Sequence, residues 1–131
     1  MSKSNTFEND LLQLIFNNVD IADIGDAGGL QNSATAGSLY VALHTGDPGE
    51  AGTAATNESA YTSYARVAVA RSGAGWTVSG NSATNAALIQ FPECTGGSET
   101  ITHVSITTSS SGTSKILYSG ALSASRSVSS G

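Results

Sequence analysis

The chain has 131 residues, which is the usual size of one domain and long enough to bury a single modest core. Charged residues make up 11% of it and hydrophobic residues 39%, a balance that favours a folded domain over a disordered segment. Ten acidic residues against five basic ones give a formal net charge of -5, and the basic residues form no cluster. The composition therefore argues against nucleic-acid binding.

The N-terminus and the single cysteine exclude further classes. The first residues lead into a segment interrupted by Glu8, Asn9 and Asp10, which matches neither a signal peptide nor a membrane span. Cys94 has no second cysteine for an internal disulfide, and one sulfur is too few for a cysteine-based zinc site. We expect no membrane partner and a product that stays in the cytoplasm until it assembles.

A helix is predicted near the N-terminus. Asn5 followed by Glu8 resembles a capping box, and apolar residues then recur at helical spacing over about Phe7 to Asn18. The apolar face is broad, so the helix is expected to dock either on the domain's own sheet or on a neighbouring subunit. We predict that residues 1–36 form an arm of helix and loop, and that residues 37–131 form a β domain.

Short strands separated by turn signals account for the rest of the chain. No crossover helix lies between them, which favours an all-β fold, either an antiparallel β-sandwich or a jelly-roll-like barrel, with one N-terminal α-helix. In one of these strands, Thr102, Val104 and Ile106 are expected to share a face. The predicted strands are Ser38–Thr45, Tyr64–Arg71, Trp76–Val78, Ala87–Phe91, Thr100–Thr107 and Lys115–Tyr118. A new strand is predicted to begin near Ser125, just where the chain stops, and this final strand is expected to be missing or disordered.

The segment Glu50–Ser63 is long for a structureless connection, and long loops often form binding surfaces. It contains Tyr61 and precedes Tyr64, and tyrosine is favoured at subunit interfaces. Arg66 and Arg71 lie five residues apart and hence on opposite faces of a strand, where each is expected either to pair with an acid of a neighbouring subunit or to be exposed. The predicted partner-contact residues are Phe7, Leu11, Ile15, Tyr61, Tyr64 and Arg66.

Few residues are arranged as catalytic groups. His44 and Asp47 could share a proton or metal, but a histidine bonded to turn backbone and an aspartate that opens the Asp-Pro-Gly turn explain them as well. Cys94 and His103 would form a nucleophile and base only if the fold joined them, and burial of the cysteine is the alternative. Trp76 is expected either in the core or at an interface. We predict no enzyme activity, no cofactor and no metal.

A series of motifs covers most of the chain after Leu39. They are LYVALHTGDPGEAG at 39–52, TNE at 56–58, YTSYARV at 61–67, GW at 75–76, FPECTGG at 91–97, THV at 102–104 and KILYSGAL at 115–122. Together they resemble a family of small tailed-bacteriophage virion structural proteins, often labelled tail fibre proteins. In that family the chain usually continues past a segment similar to residues 127–131, which agrees with a missing final strand.

The resemblance implies a particle component, assembled in the host cytoplasm and contacting other virion proteins. Our first hypothesis is a capsid decoration or cement protein that binds the major capsid protein, because the chain is compact and lacks a repetitive fibre stalk. The alternative is a tail, collar or tail-fibre module that contributes to tail assembly or host attachment. A glycan- or peptide-cleaving enzyme is a remote third. We also expect a homo-oligomer.

Overall fold

The computed structural model describes residues 1–131 and contains one α-helix and six β-strands. Four strands form an antiparallel sheet in the order β2-β1-β5-β6, and β3 and β4 form a separate two-stranded sheet. The predicted all-β class with one N-terminal helix is confirmed. The elements are α1 (Asn5–Asn17), β1 (Ser38–His44), β2 (Val67–Ala70), β3 (Trp76–Ser79), β4 (Ser82–Asn85), β5 (Ser98–Thr107) and β6 (Ile116–Ser129).

The chain divides into two compact units. The first contains Met1–Ser38 and Val69–Ile89, and the second contains Leu39–Ala68 and Gln90–Gly131. A boundary between residues 36 and 37 stays a prediction. The helix α1 is too short to cross a membrane.

The N-cap of the helix lies one residue before the predicted cap. Ser4 is the N-cap: its backbone is extended, and its hydroxyl accepts a hydrogen bond from the Phe7 N–H at 3.3 Å. Asn5 is instead the first helical residue, so its predicted capping role is wrong. At the other end Asn18 adopts a left-handed conformation with φ of 58°, which stops the helix because only glycine and a few polar residues adopt it readily.

The helix docks on the chain's own β3–β4 hairpin. Phe16, 3% exposed, packs against the indole of Trp76 with ring centroids 4.9 Å apart and planes tilted by 59°. The Asn9 amide donates to the carbonyl of Gly80, in the hairpin turn, at 2.7 Å. Trp76 is therefore a core residue, and one of the two docking alternatives expected for the helix is realised within the chain.

The strand predicted at Ala87–Phe91 is wrong. The two-residue turn at Gly80-Asn81 sets the register Ser79 to Ser82, so the residues directly after the turn pair with β3. These residues are β4, whose polar sequence gives no apolar alternation. The apolar run beyond it is irregular, and its Leu88 is 84% exposed.

The buried face of β5 is the opposite of the predicted one. Val104 and Ile106 are only half-buried, whereas Ile101, Ser105 and Thr107 are at most 1% exposed. Hydrogen bonding makes burial of the two polar residues possible, because each hydroxyl has a partner inside the second unit.

Two further strands differ in length from the predictions: β2 is shorter and β6 is longer. The strand expected at Tyr64–Arg71 contracts to β2. The Tyr64 N–H instead donates to the Tyr61 carbonyl at 2.9 Å, which makes a turn before the strand. The strand expected at Lys115–Tyr118 extends to Ser129 as β6. Its pairing with β5 shifts register between Ala121, which faces His103, and Arg126, which faces Ile101. The shift therefore spans Ser125, where a separate strand was predicted to begin.

Candidate functional site

A buried arginine organises the second unit. Arg66 is 7% exposed, and its Nε and Nη2 atoms donate to the two carboxylate oxygens of Glu58 at 2.6 and 2.8 Å. This two-point geometry is the strongest form of a carboxylate–guanidinium contact. The hydrogen bond and the charge of Glu58 raise the pKa of Arg66 although burial opposes them.

The same guanidinium holds the loop between β5 and β6. Its Nη1 donates to the Ser109 carbonyl at 3.0 Å and to the Ser114 hydroxyl at 2.9 Å, while Nη2 donates to the Gly112 carbonyl at 2.7 Å. With the two bonds to Glu58, these contacts use the full donor capacity of an arginine side chain. We name Glu58, Tyr64, Arg66 and the loop 108–115 the arginine clasp.

Tyr64 belongs to the clasp through its hydroxyl. The oxygen accepts from the Leu43 N–H at 3.0 Å and donates to Glu58 at 3.1 Å. Burial is the main cause that raises the pKa of Tyr64, and the Glu58 carboxylate adds to it. The ring contacts Tyr61 edge-on at 5.4 Å and stacks on Phe91 at 6.3 Å.

The segment predicted to be a contact loop is fastened to the unit at several points. Tyr61 is 5% exposed and donates to the Pro92 carbonyl at 2.8 Å; burial, and to a lesser extent nearby acidic groups, raise its pKa. Glu99 accepts from the Ser59 hydroxyl at 2.6 Å and from the Ala60 N–H at 2.8 Å. These bonds tie the segment to Pro92 and Glu99 of the same unit.

His44 is fully buried, and both of its ring nitrogens are engaged. Nδ1 lies 2.9 Å from the Thr56 carbonyl and Nε2 lies 2.8 Å from the Ser105 hydroxyl. The Thr56 contact requires the proton on Nδ1, which leaves Nε2 to accept from Ser105 in the neutral ring. Asp47 accepts from the Gly49 N–H at 2.8 Å, so its predicted role in the Asp-Pro-Gly turn is confirmed.

The structure gives Cys94 and His103 separate partners. The buried Cys94 thiol lies 3.3 Å from the Gly96 carbonyl, and Nδ1 of the half-buried His103 lies 2.9 Å from the Thr102 hydroxyl. No three His, Cys, Asp or Glu side chains are grouped to hold a metal ion.

The predicted partner-contact residues occupy different environments. Phe7, Leu11 and Ile15 are half-buried on α1, and Tyr64 is half-buried in the clasp. Tyr61 and Arg66 are buried, so surface exposure, one of the two alternatives expected for Arg66, is wrong. Contact of these six residues with a partner stays a prediction.

Sequence reasoning missed the role of Arg71. In the first unit its guanidinium donates to the Leu14 and Ile15 carbonyls at 2.6 and 2.8 Å and to the Ala36 carbonyl at 3.1 Å. The carbonyls of a helix's last turn lack partners within the helix, and a cation there also interacts favourably with the negative end of the helix dipole. The available signal was the absence of any basic residue in the last turn of α1, which left its carbonyls to be bonded from elsewhere.

Two surface features remain on the second unit. Open hollows of about 310 and 360 Å³ lie between the turn at residues 47–52 and the first half of β6. They share Gly49, Glu50 and Ser119, and their walls are mostly small or polar. Beside them, ten of the fourteen residues of β6 are exposed.

Comparison with known families supports the resemblance found in the motifs. A family model described as podophage GP4 fiber I protein gp80 matches residues 2–131, which is nearly the whole chain. No curated protein matches it. The predicted membership of a phage virion protein family is confirmed. The chain belongs to the podophage GP4 fiber I protein gp80 family, and it is a structural protein of the phage virion that associates with other virion proteins.

Proposed function

We propose that this protein is a module of the phage tail fibre that contributes to tail assembly or host attachment. The observation that carries the proposal is the match of residues 2–131 to a family described as a fibre protein. Because the match is nearly complete, the fibre description applies to the whole chain rather than to a short shared segment.

The internal hydrogen bonds support a role as a rigid part of the particle. Arg66, Arg71 and His44 bond to backbone carbonyls far away in the sequence, which fixes loops that apolar packing alone would leave loose. A rigid module loses little conformational entropy when it joins an assembly.

The exposed surface suits contact with other subunits. Two of the five basic residues, Arg66 and Arg71, bond to groups inside the chain, and β6 presents mainly Ser, Ala and Gly. Uncharged surface costs less to desolvate than charged surface. The predicted contacts through Phe7, Leu11 and Ile15 are part of this proposal, whereas Tyr61 and Arg66 would act by holding neighbouring groups in position.

Capsid decoration, our first hypothesis from the sequence, has no comparable support. The family description names a fibre and no shell component. Contact with the major capsid protein is therefore not part of the proposal, and copy number separates the two roles.

We further infer that the protein acts without catalysis. His44 is fully buried with both nitrogens bonded, so it has no free position for a substrate proton. Cys94 is buried beside the Gly96 carbonyl, and buried structural cysteines are inert. Virions carrying His103→Ala or Cys94→Ala should keep normal infectivity when they assemble normally.

Location in the virion tests the fibre proposal. We expect gold-labelled antibody against this chain to bind at the tail of intact virions, and cryo-electron microscopy to place its density there in a small number of copies. Label spread over the capsid shell, with hundreds of copies in each particle, would contradict the proposal. Particles lacking the chain should keep filled heads and lose adsorption to host cells.

A further inference from the structure

We draw no further inference here: the strongest candidate, the pair of open hollows between the turn at residues 47–52 and the first half of β6, carries none, because Asp47 and Glu50 in its lining form an acidic cluster with no second feature that points to a ligand, and nothing in the structure shows what covers it.

Discussion

Arg66 and Glu58 lie eight residues apart and form a two-point ion pair between a buried arginine and a half-buried glutamate, with Nε to Oε1 at 2.6 Å and Nη2 to Oε2 at 2.8 Å. The pair is not isolated, because the same guanidinium bonds to three groups of the loop 108–115. Loss of the Glu58 charge leaves the Arg66 guanidinium buried without its counter-charge, and loss of Arg66 leaves the half-buried Glu58 and the loop 108–115 without their shared partner.

Substitution of this pair should destabilise the chain strongly. Arg66→Ala and Glu58→Gln are each expected to lower the free energy of unfolding by about 3–5 kcal/mol, measured by denaturant titration. Arg66→Lys should recover only part of the loss, since an ammonium group lacks the planar fork that fits a carboxylate. The exposed Arg126→Ala is the control and should change stability by less than about 0.5 kcal/mol. Equal stability of Arg66→Ala and Arg126→Ala would show that the clasp is dispensable.

Tyr64 makes stability sensitive to high pH. Its pKa is raised above 10.0, chiefly by burial, so the folded chain holds the phenol proton more tightly than the unfolded chain does. This contribution is fully present below pH 10.0 and is lost as the pH rises beyond that value. Unfolding free energies measured from pH 8 to 11 should therefore fall above about pH 10, and fall less steeply in Tyr64→Phe.

Tyr61 also has a raised pKa, so the free energy of unfolding of Tyr64→Phe is still expected to fall somewhat at high pH. Among the unmodified chain, Tyr64→Phe and the double variant Tyr61→Phe/Tyr64→Phe, the double variant should show the smallest change of unfolding free energy with pH. An identical pH slope in all of them would rule out the tyrosines as the cause.

Sequence periodicity predicted the elements whose burial is apolar. The helix, β1 and β3 follow this rule, because Phe16, Val41 and Trp76 are buried in the pattern that a helix or strand requires. The buried face of β5 broke the rule, since Ser105 and Thr107 are buried by hydrogen bonds that depend on distant partners.

The candidate site was harder to predict, because its contacts are long-range. Arg66 reaches Gly112 across 46 positions, and Arg71 reaches Leu14 across 57. No spacing in the sequence relates such residues, and a lone arginine on a short strand is usually exposed. What the sequence did supply was the family, through motifs that include Glu58, Tyr64 and Arg66 themselves.

His44 should be required for stability rather than for chemistry. His44→Leu leaves the Ser105 hydroxyl and the Thr56 carbonyl without their partner, and each buried unpaired group costs about 1–3 kcal/mol. Adding Ser105→Ala should cost less in that background than in the unmodified chain, because the hydroxyl has already lost its partner. His103→Leu, at the half-buried position opposite His44 in the ladder, is the control and should cost much less. If the stability costs of His44→Leu and Ser105→Ala are additive, the hydrogen bond between the two side chains does not contribute to stability.

Two glycines of the turn before β3 should respond differently to the same substitution. A methyl group at Gly75 would lie 2.1 Å from the Ala70 carbonyl oxygen and 2.9 Å from a methyl group of Val69, so the backbone must move. At Gly73 nothing lies within 4 Å, and its φ is not in the left-handed region. Gly73→Ala should therefore be neutral or stabilise the fold by up to about 1 kcal/mol, because alanine restricts the unfolded chain.

Gly75→Ala should lower the unfolding free energy by about 2 kcal/mol or more, within the range of severe packing strain. The turn precedes Trp76, whose indole packs on Phe16, so the displacement should also change the tryptophan fluorescence of the folded state. Thermal unfolding monitored by that fluorescence measures both effects in one experiment. Equal melting temperatures for Gly73→Ala and Gly75→Ala would show that the turn accommodates the methyl group, and that helix docking does not depend on the close approach of Gly75 to Ala70.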